Sequence, residues 1–170
     1  PIHETDPTAS LAPVTTITIT APNAPVPPFR LPIQTPLSDP ALMNGVALLG
    51  SSSGDLPVLA GTFWDLTLFW QKQVTAGADY HLYVSLLDAQ GAGVAGWEGW
   101  PLPDYSMAQW SAGALTQTPL AFFVPGAVVS GEYRLLVGLL DPISGTKMAP
   151  IGLRTITVQQ RKANFTPVQP

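Results

Sequence analysis

The chain has 170 residues, of which 11% are charged, 46% are hydrophobic and none is cysteine, and its net charge is −4. That length suits one domain with a core of its own, the hydrophobic content excludes a disordered chain, and 19 Pro with 15 Gly, one residue in five, exclude a helical bundle or coiled coil. Seven Lys+Arg, with Arg161-Lys162 as the basic pair near the C-terminus, argue against a nucleic-acid surface, and the lack of cysteine excludes disulfides, zinc thiolates and thiol catalysis.

In chain order, residues 1–42 read as a Pro/Thr-rich extended arm, punctuated by Pro22, Pro25, Pro27, Pro28, Pro32, Pro36 and Pro40, because proline removes ladder donors. Within the arm, Val14 to Thr20 (VTTITIT) alternates and is β-branched, which predicts an edge strand. A β domain follows over residues 43–160. Asn44-Gly45 predicts a turn. A short strand is expected at Val46 to Gly50, and a turn over Ser51 to Asp55. Thr62 to Trp70 (TFWDLTLFW) places Trp64, Leu66, Leu68 and Trp70 on one face, and Tyr80 to Asp88 does the same with Tyr80, Leu82, Val84 and Leu86. Ala89 to Gly96 reads as a turn. Leu120 to Val124, Tyr133 to Asp141 and Leu153 to Val158 complete the strands, and Ala163 to Pro170 closes residues 161–170 as a tail. Pro or Gly interrupts every candidate helix. The segments YHLYVSLLD (80–88) and YRLLVGLLD (133–141) echo one another at an offset of 53 residues, which reads either as two core strands of similar environment or as pseudo-symmetric placement in the two halves of a Greek-key or jelly-roll sandwich. Strands and turns at these intervals predict an all-β antiparallel β-sandwich, jelly-roll or immunoglobulin-like, with the Pro-rich arm at its N-terminus.

Several short motifs match catalytic patterns without their context. Gly91-Ala-Gly93-Val-Ala-Gly96 fits G-x-G-x-x-G, yet Trp97-Glu98-Gly99-Trp100-Pro101 follows where a helix must begin, so a hairpin turn is expected and no dinucleotide site. Gly50-Ser51-Ser52-Ser53-Gly54 fits G-x-S-x-G but lacks the following helix and a suitably placed histidine: His81 lies in a strand and His3 in the arm. Two distant histidines and scattered carboxylates give no zinc or EF-hand pattern, so no cofactor is expected beyond a structural calcium. Asp88 and Asp141, each ending a strand, are expected to cap turns. Glu98 and Asp104 are the carboxylates nearest the tryptophans and the starting point for a remote glycoside-hydrolase alternative.

Trp97, Trp100, Tyr105 and Trp110 fall within fourteen residues, interleaved with Pro101, Pro103, Asp104 and Gln109. Flat aromatic faces beside a few polar groups suit a sugar, whose ring has apolar faces and whose edge carries hydroxyls. The ligand-binding candidates are therefore Trp97, Trp100, Asp104, Tyr105, Gln109 and Trp110. The competing expectation is that this loop folds back and buries its own rings. Trp64 and Trp70, on a strand face with Leu66 and Leu68, are expected in the core.

The succession Leu66-x-Leu68-x-Trp70, Tyr80 to Gly91, Gly99-Trp-Pro101, Gln109-Trp110-x-x-Gly113 and Gly131 to Gly145 (GEYRLLVGLLDPISG) resembles a β-sandwich module found in bacterial membrane glycosyltransferases of the protein-mannosyltransferase-like class and in related envelope proteins. The resemblance spans about residues 43 to 158 and departs from the usual Pro-Thr pair at Ser106-Met107-Ala108. It implies an extracytoplasmic, non-catalytic accessory domain, carbohydrate-binding or packed beside a membrane domain, and it brings no catalytic residues. The alternative is a purely structural or protein–protein assembly domain of the envelope. No apolar run approaches the ~18 residues of a membrane helix, so this fragment is not expected to insert. Starting at Pro1, the chain reads as a piece of a longer protein, tethered through a part not present here. Nothing in the sequence specifies an oligomeric state.

Overall fold

The computed structural model describes residues 31–74 and 78–161; the strand expected at Val14 to Thr20 and the tail beyond Arg161 lie outside them. Among the described residues nine strands run in the order β1 (Thr35–Met43), β2 (Val46–Ser53), β3 (Val58–Leu59), β4 (Thr62–Lys72), β5 (His81–Leu87), β6 (Gly93–Gly99), β7 (Leu115–Val124), β8 (Gly131–Leu140) and β9 (Ile151–Gln159). The one helical element among the described residues is a single 3₁₀ turn, Met107–Gln109. The strands form two sheets, β1-β2-β4-β7 and β3-β9-β8-β5-β6, packed face to face as a β-sandwich. All neighbours are antiparallel except β3 and β9, which run parallel.

The period-two faces pack against each other as their patterns demand. Trp64, Leu66, Leu68 and Trp70 of β4 and Leu120, Phe122 and Val124 of β7 face Leu82, Val84 and Leu86 of β5 and Leu135, Val137 and Leu139 of β8 in one core. The polar handle of Trp70 is satisfied inside it, since Nε1 donates to Thr118 Oγ1 at 3.1 Å. On β7 the alternation leaves Phe123 on the outer face, against Phe63 with ring centroids 5.1 Å apart.

The echoed segments are β5 and β8 themselves, adjacent and antiparallel. Val84 pairs with Val137, and the same two residues coincide in the sequence echo. A local two-fold axis therefore passes between these valines, and each strand meets the other as its own near-copy. Outside the core, Tyr83 lies across Gly138: a Cβ added there would stand 2.4 Å from the Tyr83 ring, whose hydroxyl donates to Met148 O at 2.7 Å. Burial holds the Tyr83 phenol above its ordinary pKa.

Turn chemistry follows the sequence at three places. Asn44 and Gly45 carry φ of 45° and 81°, which the tight β1–β2 hairpin requires and which Asn-Gly adopts at little cost. Asp88 Oδ1 accepts from the amides of Gln90 and Ala92 at 2.9 and 2.8 Å. Asp141 accepts from the Ile143 amide at 2.8 Å and from the Ser144 hydroxyl and amide, and these bonds hold its carboxyl below the usual range.

Three expectations need correction. Residues 35–42, read as arm, belong to the edge strand β1. Prolines 36 and 40 are accommodated because an edge strand does not need every donor, and pairing with β2 shifts register between Pro36 and Ala41. Ser51 to Ser53 are strand, not turn: they pair with Leu68, Thr67 and Leu66, and β1 crosses so close to Gly50 that an added Cβ would lie 2.4 Å from Thr35 O. Ala89 to Gly96 is turn only as far as Ala92, because β6 starts at Gly93 and pairs with β5 through Gly99.

A β-bulge in β9 opposite Leu135/Leu136 turns both Leu153 and Arg154 toward the interior. The Arg154 guanidinium lies 5.3 Å from the Trp64 ring, donates to Thr35 Oγ1 at 3.3 Å and bonds Ser53 Oγ. One side chain thus joins β9 to β1, β2 and β4 at the open seam between the sheets. Desolvation lowers the Arg154 pKa.

Gly138→Ala is expected to cost about 1–3 kcal/mol in urea unfolding, because the ring above cannot yield without losing its hydrogen bond. Most of that cost should vanish in a Tyr83→Ala background, and a double-mutant cycle reads the coupling. Asp141, with its folded-state pKa depressed, contributes stability that is present above the ordinary carboxylate value of about 3.9 and is lost as pH falls through the folded value. Unfolding midpoints measured from pH 6 downward should therefore fall less steeply in Asp141→Asn than in wild type.

Candidate functional site

The site lies where β4, β6 and β8 end and β5 and β7 begin. The β6–β7 connection, residues 100–114, passes over this end of the sandwich, and two anchors hold it. Asp79, two residues before β5, accepts on Oδ1 from the Ser106 hydroxyl and, at 3.2 Å, from the Ala108 amide. Ser106 Oγ itself accepts from the Ala108 amide at 3.2 Å and caps the 3₁₀ turn. From below, the buried Lys72 at the end of β4 donates from Nζ to Met107 O at 3.3 Å. Met107 and Trp110 enter the core.

The loop so held leaves an open pocket of about 330 Å³ lined by Asp79, Trp100, Leu102, Asp104, Tyr105 and Gln109, with Pro103 and Ser106. Trp100 is 43% exposed and Tyr105 46% exposed, so aromatic surface faces the solvent here. Tyr105 is fixed by donation from its hydroxyl to Gln109 O at 3.1 Å. Trp100 is braced by His81, the first residue of β5, with ring centroids 4.3 Å apart and planes at 85°. His81 Nδ1 lies 3.2 Å from Glu98 Oε1 on the neighbouring strand.

The structure brings four of the six candidates, Trp100, Asp104, Tyr105 and Gln109, to one pocket and removes two. Trp110 is 1% exposed, with its Nε1 buried and without a hydrogen-bond partner; it is a core residue, so the expected back-folding holds for this ring alone. Trp97 pairs with Val84, an inward position, so it packs half-buried against the core and borders a separate shallow depression with Tyr83, Glu98 and Lys147. Glu98 does not join Asp104. It belongs to His81, and the second carboxylate of the pocket is Asp79, already committed to the loop. Sequence reasoning missed Asp79, Ser106 and His81, which reach the site by contacts 17 to 29 residues long that no local pattern announces.

A larger depression, about 590 Å³, lies at the opposite end of the sandwich between the β5–β6 and β7–β8 turns. Its tyrosine, Tyr133, is buried and donates to Val129 O at 2.9 Å, and its Asp88 caps a turn, so it presents no free aromatic face. Among the described residues no group of three His, Asp or Glu side chains could hold a metal ion, and no helix is long and apolar enough to cross a membrane.

The two tryptophans should separate cleanly. Trp110→Ala is expected to cost about 3–5 kcal/mol of stability, whereas Trp100→Ala should cost under about 1 kcal/mol, as measured by denaturant unfolding of each purified variant.

No family model and no curated protein matches the chain. Among solved structures it is similar to the C-terminal domain of Wzt, at 12% identity over 71% of this chain and 77% of that one, with a TM-score of 0.54. It is also similar to a β-glucuronidase from glycoside hydrolase family 2 (12% identity, 66% of this chain, 11% of that one, TM-score 0.44). A third is the alkylpurine DNA glycosylase AlkC of Pseudomonas fluorescens (13% identity, 69% of this chain, 31% of that one, TM-score 0.43). The chain spans only a minor part of these last two enzymes. The likeness to the Wzt domain is one of fold, and the fold is a β-sandwich module.

Proposed function

We propose that this β-sandwich is a non-catalytic carbohydrate-binding module whose site is the Trp100/Tyr105 pocket. The observation that carries the reading is the convergence, in one open pocket, of two solvent-facing aromatic rings with Asp104, Gln109 and Asp79. A pyranose ring stacks its apolar C–H face on such rings and shares its hydroxyls with such acceptors and donors. The loop is held by Asp79 and Lys72, so little ordering cost falls on binding. A place outside the cytoplasm, accessory to a membrane glycosyltransferase, is supported by the motif resemblance from Leu66 to Gly145. The immunoglobulin-like alternative for the sandwich is supported by Tyr133, which bonds back to Val129 O at the start of β8 in the manner of a tyrosine corner.

A structural or assembly role is favoured by a different observation. The exposed pair Phe63 and Phe123 leaves apolar surface on the outer face of the β1-β2-β4-β7 sheet, as contact surfaces do.

Calorimetric and tryptophan-fluorescence titration with a panel of oligosaccharides tests the first reading. Saturable binding is expected, weakened about tenfold or more by Trp100→Ala, in line with the loss of a central aromatic contact. Binding to no glycan, with Trp100 as accessible to quencher in their presence as in their absence, would leave the assembly role.

A further inference from the structure

Resting on the reading of this pocket as a glycan site, we infer that its ligand class is an uncharged or amino-bearing sugar, and that acidic sugars are disfavoured. The inference comes from the charges of the lining. Its ionisable groups are the two carboxylates Asp79 and Asp104, and the remaining polar side chains are Tyr105, Ser106 and Gln109. Among the described residues no Lys or Arg lines it. Among the described residues two lysines are committed elsewhere: Lys72 is buried and spent on Met107 O beneath the loop, and Lys147 stands 4.9 Å over the Tyr83 ring on the outer face of β5; the His81 ring lies against Trp100 with Glu98 at its Nδ1. A uronate, sulfate or phosphate group seated on Trp100 would meet two carboxylates and, among the described residues lining the pocket, no Lys or Arg. A carboxylate accepts well from hydroxyls and better from ammonium. Asp104 is exposed, which leaves it free to accept from a bound sugar. The volume of about 330 Å³, at the lower end of small-molecule sites, suits a terminal residue or a short stretch of a chain rather than a long cleft-bound polymer.

The test is isothermal titration of the intact chain with oligosaccharides matched in linkage and length, glucan against glucuronan and galactan against galacturonan, in which the C6 hydroxymethyl group is replaced by a carboxylate, and with chitosan oligomers as the amino-bearing ligand, each at low and high salt. The expected result is binding of a neutral or amino member with its uronate counterpart about tenfold or more weaker at low salt. The gap should narrow as salt screens the carboxylates, and narrow likewise in Asp104→Asn. A uronate that binds as tightly as its neutral partner, or a gap insensitive to both salt and Asp104→Asn, overturns this inference while leaving a glycan site in place. Binding to no member of any pair overturns the glycan reading itself, and the ligand class falls with it.

Discussion

The antiparallel contact of β5 with β8 is the constraint on which the remaining structure depends. It lies at the centre of the five-stranded sheet, with β6 joined to one side and β9 to the other. Because the two strands are near-copies related by a two-fold between Val84 and Val137, a one-residue slip would set the inward row of either strand opposite the outward row of the other and turn the slipped strand's apolar row to solvent. Register is thereby specified twice, and it fixes where His81 begins and where β6 must end. The position of Trp100 relative to Asp79 follows from that.

The core was legible in the sequence because a half-buried strand writes its burial as a period of two, and β4, β5 and β8 keep an apolar residue at every second position even where Phe69, Tyr83 and Leu140 are buried between them. Polar turns were legible where one residue supplies the whole mechanism, as with Asn44-Gly45, Asp88 and Asp141. Edge strands were not. β1 contains two prolines and β6 three glycines, compositions that locally favour turn or extended coil and become strand only because a neighbour offers a ladder. Ser51 to Ser53 misled for the same reason, since three serines have turn propensity but lie against Leu66 to Leu68.

The site divides similarly. Trp100, Asp104, Tyr105 and Gln109 lie within ten residues, so their clustering survives almost any fold of the loop. The different fates of Trp100 and Trp110 were not readable, because they depend on Lys72 and Met107 drawing one end of the loop into the core while His81 props the other outside it. Asp79 is assigned by tertiary contact alone. The buried lysine illustrates the balance involved: a cation removed from water with a carbonyl as its partner is costly, and here it fastens the base of the pocket to the sandwich.

Among the described residues β6 is an edge strand, bonded on one side to β5 and containing Gly93, Gly96 and Gly99. Strands of that kind are drawn from the low end of the range of opening free energies within a fold. Trp100 follows directly on its last residue. The aromatic wall of the pocket therefore stands at the end of an edge strand, whereas Asp79 and the 3₁₀ turn are tied to the core. A ligand held between the two would steady the end of this strand, and occupancy would register as slowed amide exchange along β6, reaching beyond Trp100 to residues that the pocket does not contain.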